Sequence, residues 1–124
     1  MKRYKIEQGT FDAPLEIVTN CTEKEFYKYL ESLNAEINWR DNLTDEGLHM
    51  CFAGTLKNGI RRFIWVLRGK NEKVVLLHEI CHYAVRVIYE KNLHLSEDNS
   101  ENLAYLVEYT YREALKVFPK SKKR

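Results

Sequence analysis

The sequence predicts one small α+β domain, in which an antiparallel sheet packs against a buried helix and a closing C-terminal helix. Three features of the chain point there. Short strand-like runs occur before and after a helical segment; Asn58-Gly59 separates two apolar runs; and the most apolar stretch of all, residues 71–89, has helical spacing. A chain of 124 residues suits one domain, assigned to 1–118, followed by a basic and disordered tail at 119–124.

Tyr4–Phe11 and Leu15–Asn20 are the first extended runs, separated by Asp12-Ala13-Pro14, and Ile17, Val18 and Thr19 favour strand. Thr22 then opens a helix as its N-cap, with Glu25 at the capping-box spacing. Phe26, Tyr29, Leu30, Leu33 and Ile37 continue it at a 3–4 residue period, so this helix is predicted to reach almost to Asp41. Leu48–Leu56 and Ile60–Arg68 flank Lys57-Asn58-Gly59, the strongest short hairpin signal in the chain. From Asn71 to Tyr89 the helix is apolar on most of its circumference, which predicts an interior position. A polar connection over 90–100 leads to the last helix, predicted from Ser100 to Val117 and stopped by Pro119.

Composition narrows the function classes. The formal charge of +2 comes from 20 Lys+Arg against 18 Asp+Glu, but Lys116, Lys120, Lys122, Lys123 and Arg124 crowd the last nine residues. The body is therefore mildly acidic, unlike a fold that binds nucleic acid through an evenly basic surface. An apolar fraction of 44% and an aromatic fraction of 12% support a real core rather than disorder. No apolar run nears the ~20 residues of a membrane span, and basic Met1–Lys5 lacks the apolar stretch of a secretory signal. Cys21, Cys51 and Cys81 are odd in number and widely spaced, as expected of reduced thiols in the cytoplasm.

Chemistry is concentrated in His78-Glu79-Ile80-Cys81-His82, an H-E-x-x-H within the apolar helix. Residues i and i+4 share a helical face, so His78 and His82 can aim two imidazoles at one point. Glu79, about 100° round the helix, misses direct ligation but can reach a water there as general base. Composition alone produces such a motif in roughly one chain in 70, and its helical context strengthens the reading. Two imidazoles and a carboxylate are also costly to bury without partners, which a metal ion supplies. The alternative is a pair of core histidines satisfied by backbone or carboxylates.

A tetrahedral Zn²⁺ site needs a third protein ligand and keeps its fourth position for water. Val85 and Ile88 occupy the positions that an extended H-E-x-x-H-x-x-G-x-x-H would give to Gly and His. Among the downstream residues Glu101 is the first choice. It opens the closing helix 19 residues beyond His82, and Ala104, one turn on and on nearly the same face, lets two helices approach. Glu108 is the second candidate, or an acceptor for a histidine N–H, and His94 the third. Tyr83, Arg86, Tyr105 and Tyr109 are candidate oxyanion donors, though aromatic residues mostly serve packing.

H-E-x-x-H followed about twenty residues later by Glu101 in an E-x-x-A context resembles the gluzincin-type zinc metallopeptidases. More narrowly, His78–Ala84 together with Ser100–Tyr109 is similar to small zincin-like proteins of bacteriophages and prophages. The resemblance covers about Val74–Arg112 and implies a minimal zincin-like fold, with a small sheet over the metal helix and, if phage-encoded, a location in the host cytoplasm. It implies Zn²⁺ as cofactor, His78, His82 and Glu101 as ligands, Glu79 as catalytic base, and a peptide or protein as substrate.

Strand 60–68, directly before the metal helix, is the expected cleft wall, where a peptide adds to a sheet edge. Two other classes remain in view. One is a non-catalytic, metal-stabilised zincin-like binding module. The other is a nucleic-acid-associated protein using Arg61, Arg62, Arg68 and the basic tail, although strand-edge charges of this kind commonly guard an edge.

Overall fold

A computed structural model of the chain describes the backbone of residues 1–33, 35–40, 47–54, 60–91, 93 and 97–117. Side chains are described for 1–33, 61–91, 93, 97 and 99–116. Five strands and three α-helices follow in the order β1 (Lys2–Ile6), β2 (Leu15–Thr19), α1 (Glu23–Ser32), β3 (Ala35–Arg40), β4 (Gly47–Gly54), β5 (Ile60–Val66), α2 (Glu72–Glu90) and α3 (Ser100–Val117), with a 3₁₀ turn at Glu97–Asn99. The class is α+β, as the sequence predicts. No helix among the described residues is long and apolar enough to cross a membrane.

The sheet, ordered β1-β2-β5-β4-β3, is mixed rather than antiparallel. β1–β2, β4–β5 and β3–β4 are antiparallel, but β2 and β5 run parallel, with Leu15 beside Arg62 and Val18 beside Trp65. The reason lies in β2. Leu15, Ile17, Val18 and Thr19 are all buried, so this strand is covered on both faces and belongs at the centre of a sheet. The chain leaves β2 through α1, goes out to the far edge at β3, and returns through β4 to lay β5 alongside. The expected free edge at 60–68 is therefore absent: among the described residues β5 has a neighbour on either side, and β1 and β3 are the edges.

Helices cover both faces. Phe63 and Trp65 of β5 face α1, where they join Val18, Cys21, Phe26 and Leu30. Ile64 and Val66 face the other way, packing with Ile6, Leu15 and Ile17 against Leu76, Ile80, Ala84 and Val87 of α2 and Leu106 and Ala114 of α3. On this second face α3 adjoins β1, whereas α2 lies over β5 and β4.

Local chemistry sets the boundaries. β1 stops at Ile6, short of the predicted run to Phe11, because buried Gln8 organises a turn: its side chain accepts from the Phe11 N–H at 3.0 Å, and its carbonyl from the Ala13 N–H at 3.1 Å. Thr22 caps α1 in the predicted capping box, accepting from the Glu25 N–H at 3.1 Å while Glu25 accepts from the Thr22 N–H at 3.0 Å. These bonds to the carboxylate hold the Glu25 pKa below its ordinary value. α1 ends at Ser32, not near Asp41. Ile37 fits the helical period equally well as a strand residue, and it pairs with Phe52 in β3–β4. Turn 55–59 of the predicted hairpin and the predicted tail 119–124 lie outside the described residues.

One buried ion pair ties the sheet to α2. The Arg62 guanidinium, 5% exposed, donates to Glu90 at 2.6 Å, and Arg86 donates to the other Glu90 oxygen at 3.0 Å. Removing Glu90 strands a buried cation, so Glu90→Ala is expected to cost about 3–5 kcal/mol. Arg112→Ala, which breaks an exposed pair with Glu108 one turn apart on α3, is expected to cost less than about 0.5 kcal/mol. Urea denaturation of the two variants checks this, and equal losses would contradict the buried pair.

Candidate metal centre

Rotation of α2 about its axis decides what H-E-x-x-H can do. Its buried residues are Leu76, Glu79, Ile80, Tyr83, Ala84, Val87 and Ile88, whereas Val74, Leu77, Val85 and Tyr89 are exposed, Val74 to 71%. The helix is thus half-buried, not apolar-sided into the interior all round as its composition predicts. His82 stands at the border between the two halves and His78 on the exposed side, with its side chain 58% exposed. Glu79 is 1% exposed.

The imidazoles converge. Nε2 of His82 lies 3.2 Å from Nε2 of His78, with the rings edge-to-face and their centroids 4.8 Å apart. Two ligands of a tetrahedral zinc, at bond lengths of about 2.0–2.1 Å, have their nitrogens about 3.3 Å apart. The pair therefore already has the bite that the ion requires. One of these ring nitrogens donates to the other. Glu79 Oε1 stands 3.9 Å from Nε2 of His78. It is too far to bond the ring, and close enough to hold a water beside the pair.

Glu101 does not join them. It is exposed on the first turn of α3, on a stripe with Tyr105, Glu108 and Arg112, whereas the stripe facing α2 and the sheet contains Leu106, Thr110 and Ala114. Ala104 is exposed as well, so it creates no close approach between helices. Glu108 is held by Arg112, and His94 lies outside the described residues. Among the described residues no group of three His, Cys, Asp or Glu side chains is close enough to hold a metal ion.

The candidate oxyanion donors have structural work elsewhere. Tyr83 is fully buried and donates to the Ala13 carbonyl at 2.5 Å, and burial pushes its pKa up. Tyr109 donates to the Glu7 carbonyl at 3.2 Å and stacks on Tyr105, whose hydroxyl lies 3.4 Å from Thr10. Arg86 belongs to the Glu90 pair. The arginines of the nucleic-acid reading are likewise engaged: Arg61 with Glu16 at 2.9 Å, Arg62 with Glu90, and Arg68 with Glu72 at 2.5 Å.

Sequence reasoning missed that Cys81 belongs to the outer face of α2, one turn from His78. The i+3 spacing was the available signal. Cys21 is buried beneath α1, with its carbonyl accepting from the Trp65 indole at 3.2 Å. Partial burial raises both thiol pKa values, so accessibility decides reactivity. Brief maleimide labelling of the native protein is expected to modify Cys81 well before Cys21, as mapped by peptide mass spectrometry. Faster labelling of Cys21 would mean that α2 is rotated otherwise.

The chain matches no protein-family model, and neither a curated protein nor a solved structure is significantly similar to it.

Proposed function

We propose that the protein is a zinc-dependent hydrolase of peptide bonds, a minimal zincin-like metallopeptidase in which His78 and His82 hold the ion and Glu79 is the general base. The observation that carries this reading is the paired geometry of one helix segment: two Nε2 atoms 3.2 Å apart, and a carboxylate oxygen 3.9 Å from one of them. Zinc, when bound, supplies a water of lowered pKa and polarises the scissile carbonyl.

The chain's own residues do the rest. Glu79 accepts the proton of the attacking water and returns it to the leaving amine. The exposed position of His78 leaves the pair open to a substrate approaching from solvent. Because β5 is flanked on both sides, a peptide substrate would meet the outer side of α2 rather than add to that strand.

A metal-stabilised binding module is the second reading, supported by the near-complete burial of Glu79. One variant separates the two. Glu79→Gln is expected to retain zinc by elemental analysis while losing at least about 100-fold in hydrolysis of a peptide library. His82→Ala is expected to lose both zinc and hydrolysis. Full hydrolysis by Glu79→Gln would remove the general base, and no zinc in the reconstituted wild type would remove the metalloenzyme.

A further inference from the structure

We propose that the outer edge of β1 is a docking site for an extended acidic segment of another protein, which adds to the sheet with its carboxylates beside Arg3 and Lys5. The site is remote from His78 and His82, since α2 lies over β5 and β4 whereas α3 is the helix beside β1. It therefore stands whether or not the histidine pair binds a metal ion.

One side of β1 pairs with β2 over all five residues, from Lys2 opposite Thr19 to Ile6 opposite Leu15. On its other side no strand pairs among the described residues. Alternate residues of an edge strand turn both N–H and C=O outward, so this margin offers main-chain donors and acceptors to an incoming strand. Its two faces differ. Tyr4 and Ile6 pack into the core shared with α2 and α3. Arg3 turns the other way and donates to the Tyr29 hydroxyl of α1 at 2.9 Å, and by strand alternation Lys5 shares its face.

Charge decides what can use the margin. Lys2, Arg3 and Lys5 are exposed, and β1 contains no acid. Glu7, just beyond, offsets one of them at 3.3 Å from Lys5. Arg3 stands 4.0 Å from Glu16, but Arg61 already holds that carboxylate at 2.9 Å. A basic surplus thus runs along the edge. A second copy of the chain fits it badly. The antiparallel register that overlaps the whole strand with itself sets Arg3 opposite Lys5 twice over, and like charges directly opposite destabilise a pair. The cations that bar self-pairing favour a strand with Asp or Glu opposite Arg3 and Lys5, two residues apart on one face.

α3 supplies a second wall. A hollow of about 250 Å³ lies between the edge and this helix, lined by Lys5, Ile6, Glu7, Tyr109, Glu113 and Lys116. Tyr109 ties the end of the strand to the helix by donating to the Glu7 carbonyl at 3.2 Å. An incoming residue opposite Ile6 turns to this side of the sheet. Ile6, the Tyr109 ring and the lysine stems suit an apolar side chain there, while Glu113 and Lys116 neutralise each other at 2.5 Å. The partner segment therefore alternates acidic and apolar residues. Strand addition takes its affinity from main-chain bonds and its selectivity from such alternate side chains.

Binding of fluorescein-labelled peptides to the full-length protein tests the assignment. A short peptide of alternating glutamate and valine is expected to bind. Lysine in place of glutamate is expected to weaken binding at least about tenfold, as is the double variant Arg3→Glu, Lys5→Glu, its fold checked by circular dichroism. N-methylation of every second peptide amide keeps the charge and removes main-chain donors. It is expected to abolish binding in one of its two phases and to spare it in the other, which general electrostatic attraction does not do. Failure of the glutamate peptide to bind, equal binding of the lysine peptide, or equal effects of the two methylation phases overturns the proposal. So does tighter binding of a thymidine oligonucleotide that the double variant loses, which makes the edge a phosphate site. A dimer in sedimentation that the double variant loses overturns it in favour of a second copy.

Discussion

Everything at the candidate centre depends on how α2 is turned about its own axis, and the Arg62–Glu90 pair is the interaction that sets this turn. Apolar residues occur on both the inner and the outer side of α2, so composition alone does not set its rotation. Leu76, Ile80, Tyr83, Ala84, Val87 and Ile88 form the inner stripe, while Val74, Leu77, Val85 and Tyr89 remain outside. The buried guanidinium resists any other turn, since a rotation that withdrew Glu90 would leave Arg62 desolvated without its carboxylate. With Glu90 turned to β5, Glu79 is inside, His82 lies at the border, and His78 and Cys81 are outside.

That ion pair can be buried because the sheet around it is covered on both sides. β2 and β5 form a parallel centre, with α1 over one face and α2 and α3 over the other. Alternate residues of β5 serve two cores: Phe63 and Trp65 with α1, Ile64 and Val66 with α2. Arg62 falls on the α2 face, where Glu90 receives it, and Arg61 on the α1 face, where Glu16 receives it. The charges that look like an exposed basic strand in the sequence are thereby paired across elements remote in the chain. A small domain thus surrounds a polar site with a rigid frame while leaving the His78 flank open.

Much of the fold is readable from local patterns. The Thr22–Glu25 capping box, the helical period of 71–89, the strand runs at Leu15 and Ile60, and the closing helix at Ser100–Val117 all have local causes, and all are present. Failures occur where two patterns coexist. Ile37 satisfies both a helical and a strand period, and pairing with β4 decides between them. Tyr4–Phe11 has strand-like residues throughout, but buried Gln8 makes a turn of its second half. Of the candidate site, the two histidines and Glu79 follow from i, i+4 geometry and sit as that geometry requires. Glu101 follows from its distance along the chain and from small Ala104 on nearly the same face, and neither says which side of α3 they fall on; both are exposed.

The sequence by itself determined that one helix presents two imidazoles at a common point with a carboxylate beside them, because helical geometry is local and needs no other part of the chain. It also determined the helix cap, the apolar periods and the α+β class. The tertiary structure alone decided that β2 and β5 run parallel, that β5 has no free edge, that the arginines are paired, and which flank of α2 meets which strand. Apart from the local Arg68–Glu72 pair, these depend on contacts between residues tens of positions apart, and such contacts are chosen by which faces must be buried together. The H-E-x-x-H segment is written in five consecutive residues, but its surroundings exist only once the sheet has closed beneath it.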